Sequence, residues 1–179
     1  IDCKGLPMFE KGYSLRPDFW RATTDNDYGA GLQNRLGAWK NPQMKLTSMK
    51  EEAEGNNRKV TCTYDLPSVH ASLTLTYIVN PAGSLVVTQS LKVDPNSKEK
   101  PMLPRFGMTL EMPEEFDQVS YYGRGPIENY WDRHDSQFIG LYTQKVSDMF
   151  WGYVRPQETG NHTDVRWWNV HNAKRDGMT

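Results

Sequence analysis

Between Lys59 and Val93 the sequence alternates with a period of two: "KVTCTY" at Lys59–Tyr64, "SLTLTYIV" at Ser72–Val79 and "SLVVTQSLKV" at Ser84–Val93. Such runs, rich in β-branched and aromatic residues, suit a pleated surface with one buried side and present no continuous face as a helix. "NPAG" at Asn80–Gly83 places turn residues between the last two, so these read as a hairpin. "FGMTLEM" at Phe106–Met112, "QVSYYG" at Gln118–Gly123 and "FIGLYTQKV" at Phe138–Val146 continue the pattern, giving about six strands at sandwich-like spacing. The one convincing helical stretch is "GLQNRLGAWKN" at Gly31–Asn41, where Leu32, Leu36 and Trp39 fall at helical spacing and Gly37 weakens the run. The expected fold class is all-β with little helix.

At about 150 residues per domain, 179 residues predict a single compact domain over 1–179. Twenty-one Lys and Arg against 22 Asp and Glu leave a net charge of -1, and no long run has one sign. That excludes a basic nucleic-acid or anionic-membrane surface as the main business of the chain. No apolar run approaches the roughly 18 residues of a membrane span, and "IDCKGLPMFEKGYS" has no basic region followed by an apolar one. A start without Met reads as a piece of a longer chain. Cys3 and Cys62 do not make a disulfide framework; Cys62 reads as a small core residue, Cys3 lies near a terminus, and a bridge between them is left open.

Three loops are loaded with polar groups. In "RATTDNDYGAG", Asp25, Asn26, Asp27 and Gly29 resemble a calcium loop at a glance, but glycine falls at the fifth position and the twelfth is Leu36, so the EF-hand pattern fails. Asp25 or Asp27 is better read as a cap for the helix that follows. In "YYGRGPIENYWDRH", Glu128 and Asp132 are candidate paired carboxylates, and a retaining glycosidase needs two about 5 Å apart. Gly123, Gly125 and Pro126 put that stretch on a turn, however, and Arg124, Arg133 and His134 offer each acid a cation. A corner of ion pairs is therefore the favoured reading. In "YVRPQETGNHTDVRWW" the acids Glu158 and Asp164, the bases Arg155 and Arg166 and two tryptophans combine polar groups with flat rings, as a sugar site does. Asn161-His162-Thr163 is a glycosylation sequon, meaningful only on a eukaryotic secretory route. His70, His134, His162 and His171 show no zinc spacing, and no nucleophile elbow, phosphate loop or dinucleotide fingerprint is present.

Taken in order, "FWRATTDNDYG" (19–29), "GRGPIENYWDRH" (123–134) and "SDMFWGYVRPQETGNHTDVRWW" (147–168) resemble the C-terminal domain of large bacterial β-galactosidases of the LacZ type. Thr23 stands where that pattern usually has proline, and Thr159 where Asn is common before glycine. The resemblance implies a supersandwich of the galactose-mutarotase-like type, incomplete at its C-terminal end, with strand edges through which a fragment would dimerise unless it closes by itself. It also implies that the catalytic glutamates and a Mg2+ ion sit in a separate barrel domain, so that no catalytic residue and no metal ligand are expected in this chain. What it assigns here is a rim loop beside the active-site opening, with Arg155, Glu158, Gly160 and Asn161 as its residues. Gly160 is expected to lend it hinge-like freedom.

The corner residues expected to support that loop are Gly123, Arg124, Gly125, Glu128, Asp132 and Arg133, with Glu128 and Asp132 locked onto Arg124 and Arg133. The implied partners are the rest of a β-galactosidase, its barrel above all, and β-galactosides at the shared opening, in bacterial cytoplasm or periplasm. Two other readings compete. One is a stand-alone carbohydrate-binding sandwich, and the other is an epimerase using Glu128, Asp132 and His134 as acid and base.

Overall fold

A computed structural model describes residues 2–3, 5–98 and 102–179. The fold is all-β and antiparallel, and packing divides the chain into two compact units interleaved in sequence. One comprises Ile1–Arg16, Ala22–Asp25 and Leu110–Thr179, the other Pro17–Arg21 and Asn26–Thr109. The chain opens with two short paired strands, β1 (Asp2–Cys3) and β2 (Leu6–Pro7), followed by β3 (Arg16–Asp18). The side chain of Cys3 lies outside the described residues, while Cys62 is a buried free thiol.

The second unit is built on a sheet in the order β4-β5-β6-β7, from β4 (Lys45–Glu54), β5 (Asn57–Leu66), β6 (Ala71–Val79) and β7 (Leu85–Val93). The period-two runs appear as β5, β6 and β7, and the "NPAG" turn closes as expected, with Gly83 N–H donating to the Asn80 carbonyl at 3.0 Å. Ala71, Leu73 and Leu75 lie opposite Leu66, Tyr64 and Cys62, so one face collects the buried members of both strands. Phe19, Leu36 and Trp39 complete this core, and Leu66, Val69 and Leu73 have no exposed surface. Each such aliphatic side chain contributes about 1.5–3 kcal/mol of burial free energy.

The charged sequence of β4 hides a strand from period-two reading. It is an edge strand whose Glu52 meets Lys59 of β5 at 3.0 Å, a charged edge of the kind that discourages pairing with other chains. The single helix expected over Gly31–Asn41 is instead α2 (Leu32–Arg35), following α1 (Asp25–Gly29), and then a 3-10 turn at Gly37–Lys40. Gly37 interrupts the run, though Leu36 and Trp39 are still buried as their spacing implied. Neither aspartate caps α2, whose N-cap is Gly31; Asp27 is held instead by Arg21 at 2.8 Å. Of "FGMTLEM" only β8 (Gly107–Thr109) is strand, paired with β3.

The first unit carries the sheet β10-β9-β11-β12, from β9 (Gln118–Gly125), β10 (Phe138–Lys145), β11 (Trp167–His171) and β12 (Gly177–Met178). Along β9 the buried residues are Val119, Tyr121, Gly123 and Gly125, so its alternate positions face inward. Gly123 and Gly125 are therefore strand residues under close packing rather than turn residues. A methyl on Gly123 would lie 2.9 Å from the Val165 backbone, and one on Gly125 would strike the Tyr121 ring and hydroxyl.

Candidate functional site

The stretch after β9 turns through the cis peptide Gly125-Pro126 and returns as β10, and side chains fasten this corner to the segment 153–166. Arg124, the next to last residue of β9, sends its guanidinium to Asp164 at 2.6 Å and to the carbonyls of Gln137 at 2.9 Å and His134 at 3.4 Å. Fully buried Asn129 donates to the carbonyls of Arg124 and Ile127 and accepts from the Thr163 amide at 2.9 Å and hydroxyl at 2.5 Å. Asn129 and Asn161 also bond each other: the Asn129 amide donates to the Asn161 carbonyl at 2.7 Å, and Asn161 Nδ2 to the Asn129 carbonyl at 2.6 Å. A buried amide with every group matched costs little to bury and specifies one geometry.

Glu128 is the centre of the site. Its side chain is 2% exposed, and both oxygens are filled by four donors. Oε1 accepts from Arg133 and from the Tyr153 hydroxyl, while Oε2 accepts from the Gly160 amide at 2.6 Å and the Thr159 hydroxyl at 3.0 Å. Burial by itself would raise the Glu128 pKa, but hydrogen bonds from Tyr153, Gly160, Arg133 and Thr159 outweigh it and hold the carboxyl below its ordinary value. Burial, reinforced by that carboxylate, pushes Tyr153 up to about 12, so its proton stays on. A general acid needs the opposite shift, and a nucleophile needs a free oxygen. Glu128 has neither.

The expected ion pairs are redistributed. Arg133 does hold Glu128, but Arg124 is taken by Asp164, whose carboxyl that contact holds below its ordinary range. Asp132 is exposed and pairs with neither arginine; the segment is not helical, so the shared face that a helix would have given Glu128 and Asp132 does not form. His134 packs edge-on against Trp131 and approaches Asp135 at 3.4 Å rather than Glu128, so no acid and base pair forms.

Of the rim-loop residues, Arg155 is exposed and meets Asp25 at 3.3 Å, and the neighbouring Gln157 side chain accepts from the Asp25 amide at 3.1 Å. Glu158 is half-buried, close enough to Tyr130 to raise the phenol's pKa together with burial. Asn161 points into the corner. Gly160 is the reverse of a free hinge: its φ is +79°, its amide is bound to Glu128, and a β-carbon there would stand 2.9 Å from the Met149 carbonyl. Tyr153 and Thr163 carry this site without having stood out in the sequence, since single hydroxyls have no signal until their partners are known, while Asp164 and Thr159 were singled out there but not as partners of Arg124 and Glu128. Among the described residues, no group of three or more His, Cys, Asp or Glu side chains converges to hold a metal ion, and no helix is long and apolar enough to cross a membrane.

Comparison with known proteins agrees with this architecture. The family model described as beta galactosidase small chain matches residues 2–178. A β-galactosidase of Lactobacillus delbrueckii subsp. bulgaricus is 38% identical over 159 residues, which cover 87% of this chain and 15% of the relative. One of Priestia megaterium is 37% identical over 166 residues, 92% of this chain and 16% of the relative. One of Streptococcus thermophilus is 33% identical over 177 residues, 97% of this chain and 17% of the relative. The chain thus spans between 15% and 17% of the length of these three relatives.

Proposed function

The chain belongs to the β-galactosidase small-chain family, and from that premise we propose that it is a non-catalytic part of a β-galactosidase that braces a loop at the rim of the active site. Hydrolysis of terminal β-D-galactosides then belongs to the rest of the enzyme, where a barrel would carry the catalytic carboxylates and their Mg2+. The rest of that chain is its partner, and β-galactosides meet it at the shared opening.

The observation that carries this reading is the state of Glu128. Of the two candidate catalytic carboxylates, it is the buried one, and its four donors include three from the segment 153–160. A carboxylate used this way holds a loop in one shape, and it does so at the segment that the family resemblance puts beside the opening. Thr159, where the family pattern favours Asn, keeps a donor on Glu128 through its hydroxyl, so the departure preserves the brace.

A chromogenic galactoside assay on the purified chain tests the reading. The expected result is no turnover above buffer. Turnover would refute it and return Glu128, Asp132 and His134 to the role of catalysts.

A further inference from the structure

Beside the corner lies a cleft of about 180 Å3 whose walls include Ile127, Gln144, Asp148, Phe150, Trp151 and His162. It is smaller than the roughly 300–1,000 Å3 of a pocket for a drug-sized molecule, a volume for one ring. Two features mark it as more than a surface irregularity.

The first is the way Trp151 is presented. Its side chain leaves the residue 51% exposed, yet its backbone amide is fastened by one hydroxyl: it donates to Thr159 Oγ1 at 2.7 Å, and its carbonyl lies 3.1 Å from the same oxygen. That oxygen is 3.0 Å from Glu128 Oε2. The single hydroxyl proton serves either acceptor, while the Trp151 amide is held in both cases. A backbone held through a hydroxyl that also reaches a buried carboxylate fixes where the indole is attached before any ligand arrives, which removes part of the entropic cost of binding.

The second is the polar complement. Gln144 Nε2 is buried with no hydrogen-bond partner among the described residues, an amide N–H2 donor in want of an acceptor. His162 Nδ1 lies 3.0 Å from the Arg124 carbonyl, which can only accept, so that nitrogen carries the proton. Burial holds the ring's pKa below its ordinary value, opposed only in part by that carbonyl and by Glu128, so the neutral ring has Nε2 as an acceptor. Asp148 is exposed, with one oxygen 3.3 Å from the Ser147 hydroxyl and the other open to donors. Donor, acceptor and carboxylate thus surround a space bordered by a flat aromatic face. Hydroxyls need paired donors and acceptors, and the C–H face of a sugar ring needs an aromatic surface.

We propose that this cleft is a binding site for a single pyranose ring, with the Trp151 indole against its C–H face and Gln144, Asp148 and His162 taking its hydroxyls. The site stands apart from the rim reading, because it needs only residues of this chain and no neighbouring catalytic domain.

Saturation-transfer NMR of the chain with methyl β-D-galactopyranoside at millimolar concentration tests it. Transfer to the ring C–H protons is expected from the parent chain, to be lost in Trp151→Ala and retained in Trp151→Phe, with all three unfolding at closely similar temperatures because the residue is half exposed. Gln144→Leu is expected to weaken the transfer without moving the other corner resonances. No transfer from the parent chain, or equal transfer from Trp151→Ala, overturns the proposal. The galactoside turnover assay reads the non-catalytic assignment separately, so either idea can fall while the other stands.

Discussion

Replacing Glu128 by Gln keeps the shape of the side chain and removes its charge. The new amide must turn its NH2 toward one of two pairs of donors. Toward Oε2's partners it meets the Gly160 amide, a fixed backbone donor 2.6 Å away, which cannot turn aside. Toward Oε1's partners it meets Tyr153, whose hydroxyl can reverse and accept, and Arg133, whose side chain is 47% exposed and can return to water. The second arrangement costs less, so the variant loses the Arg133 contact and converts the remaining charge-assisted bonds to neutral ones. Breaking a buried ion pair costs about 3–5 kcal/mol, and the exposure of Arg133 selects the lower end, about 3 kcal/mol. At roughly 2–4 °C per kcal/mol for a chain of this size, the melting temperature should fall by about 6–12 °C. Thermal unfolding followed by circular dichroism at neutral pH measures it. A shift below about 1 °C would show that Glu128 is no brace. Lost turnover in the complete enzyme at an unchanged melting temperature would show that it is a catalytic group.

Acidification should destabilise the chain. Glu128 is depressed below its ordinary 4.5 when folded, so its contribution is complete above that pH and disappears as the pH falls through the lower folded value. His162 is depressed below 6.5, so folding favours its neutral form, and its contribution too is present above 6.5 and lost on protonation. Melting temperature is therefore expected to hold steady from about pH 7 to about pH 9, below the range in which tyrosines ionise, and to decline toward pH 4, less steeply at the acid end in Glu128→Gln; a rise on acidification would contradict both assignments. Gly160→Ala places a side chain at φ +79° against the Met149 carbonyl and should cost at least about 2 kcal/mol in urea unfolding, whereas parent-like stability would restore the hinge reading. Asp132→Asn, at an exposed position without an ion pair, should stay within about 0.5 kcal/mol of the parent, and a loss of several kcal/mol would mean that the corner depends on it after all.

What the sequence determined by itself was whatever depends on neighbours along the chain. Period-two runs marked β5, β6, β7, β9 and β10 because each strand alternates its own faces, and the spacing of Leu36 and Trp39 marked two core residues even though the helix around them breaks at Gly37. Residue types marked the corner, since an acid among arginines, glycines and aromatics calls for pairing. The tertiary structure alone decided which partners pair. Glu128 finds Tyr153, Thr159 and Gly160 across separations of 25, 31 and 32 residues, and Arg124 finds Asp164 across 40. Those meetings follow from β11 lying against β9 in a register that sets Trp167 opposite Tyr122 and brings the preceding loop over the corner. β11 itself went unread, as did β4, for the one is an aromatic pair in a polar loop and the other a charged edge. Local alternation is a property of a few successive residues, whereas the choice of a hydrogen-bond partner is made by the packing that places two distant segments within 3 Å.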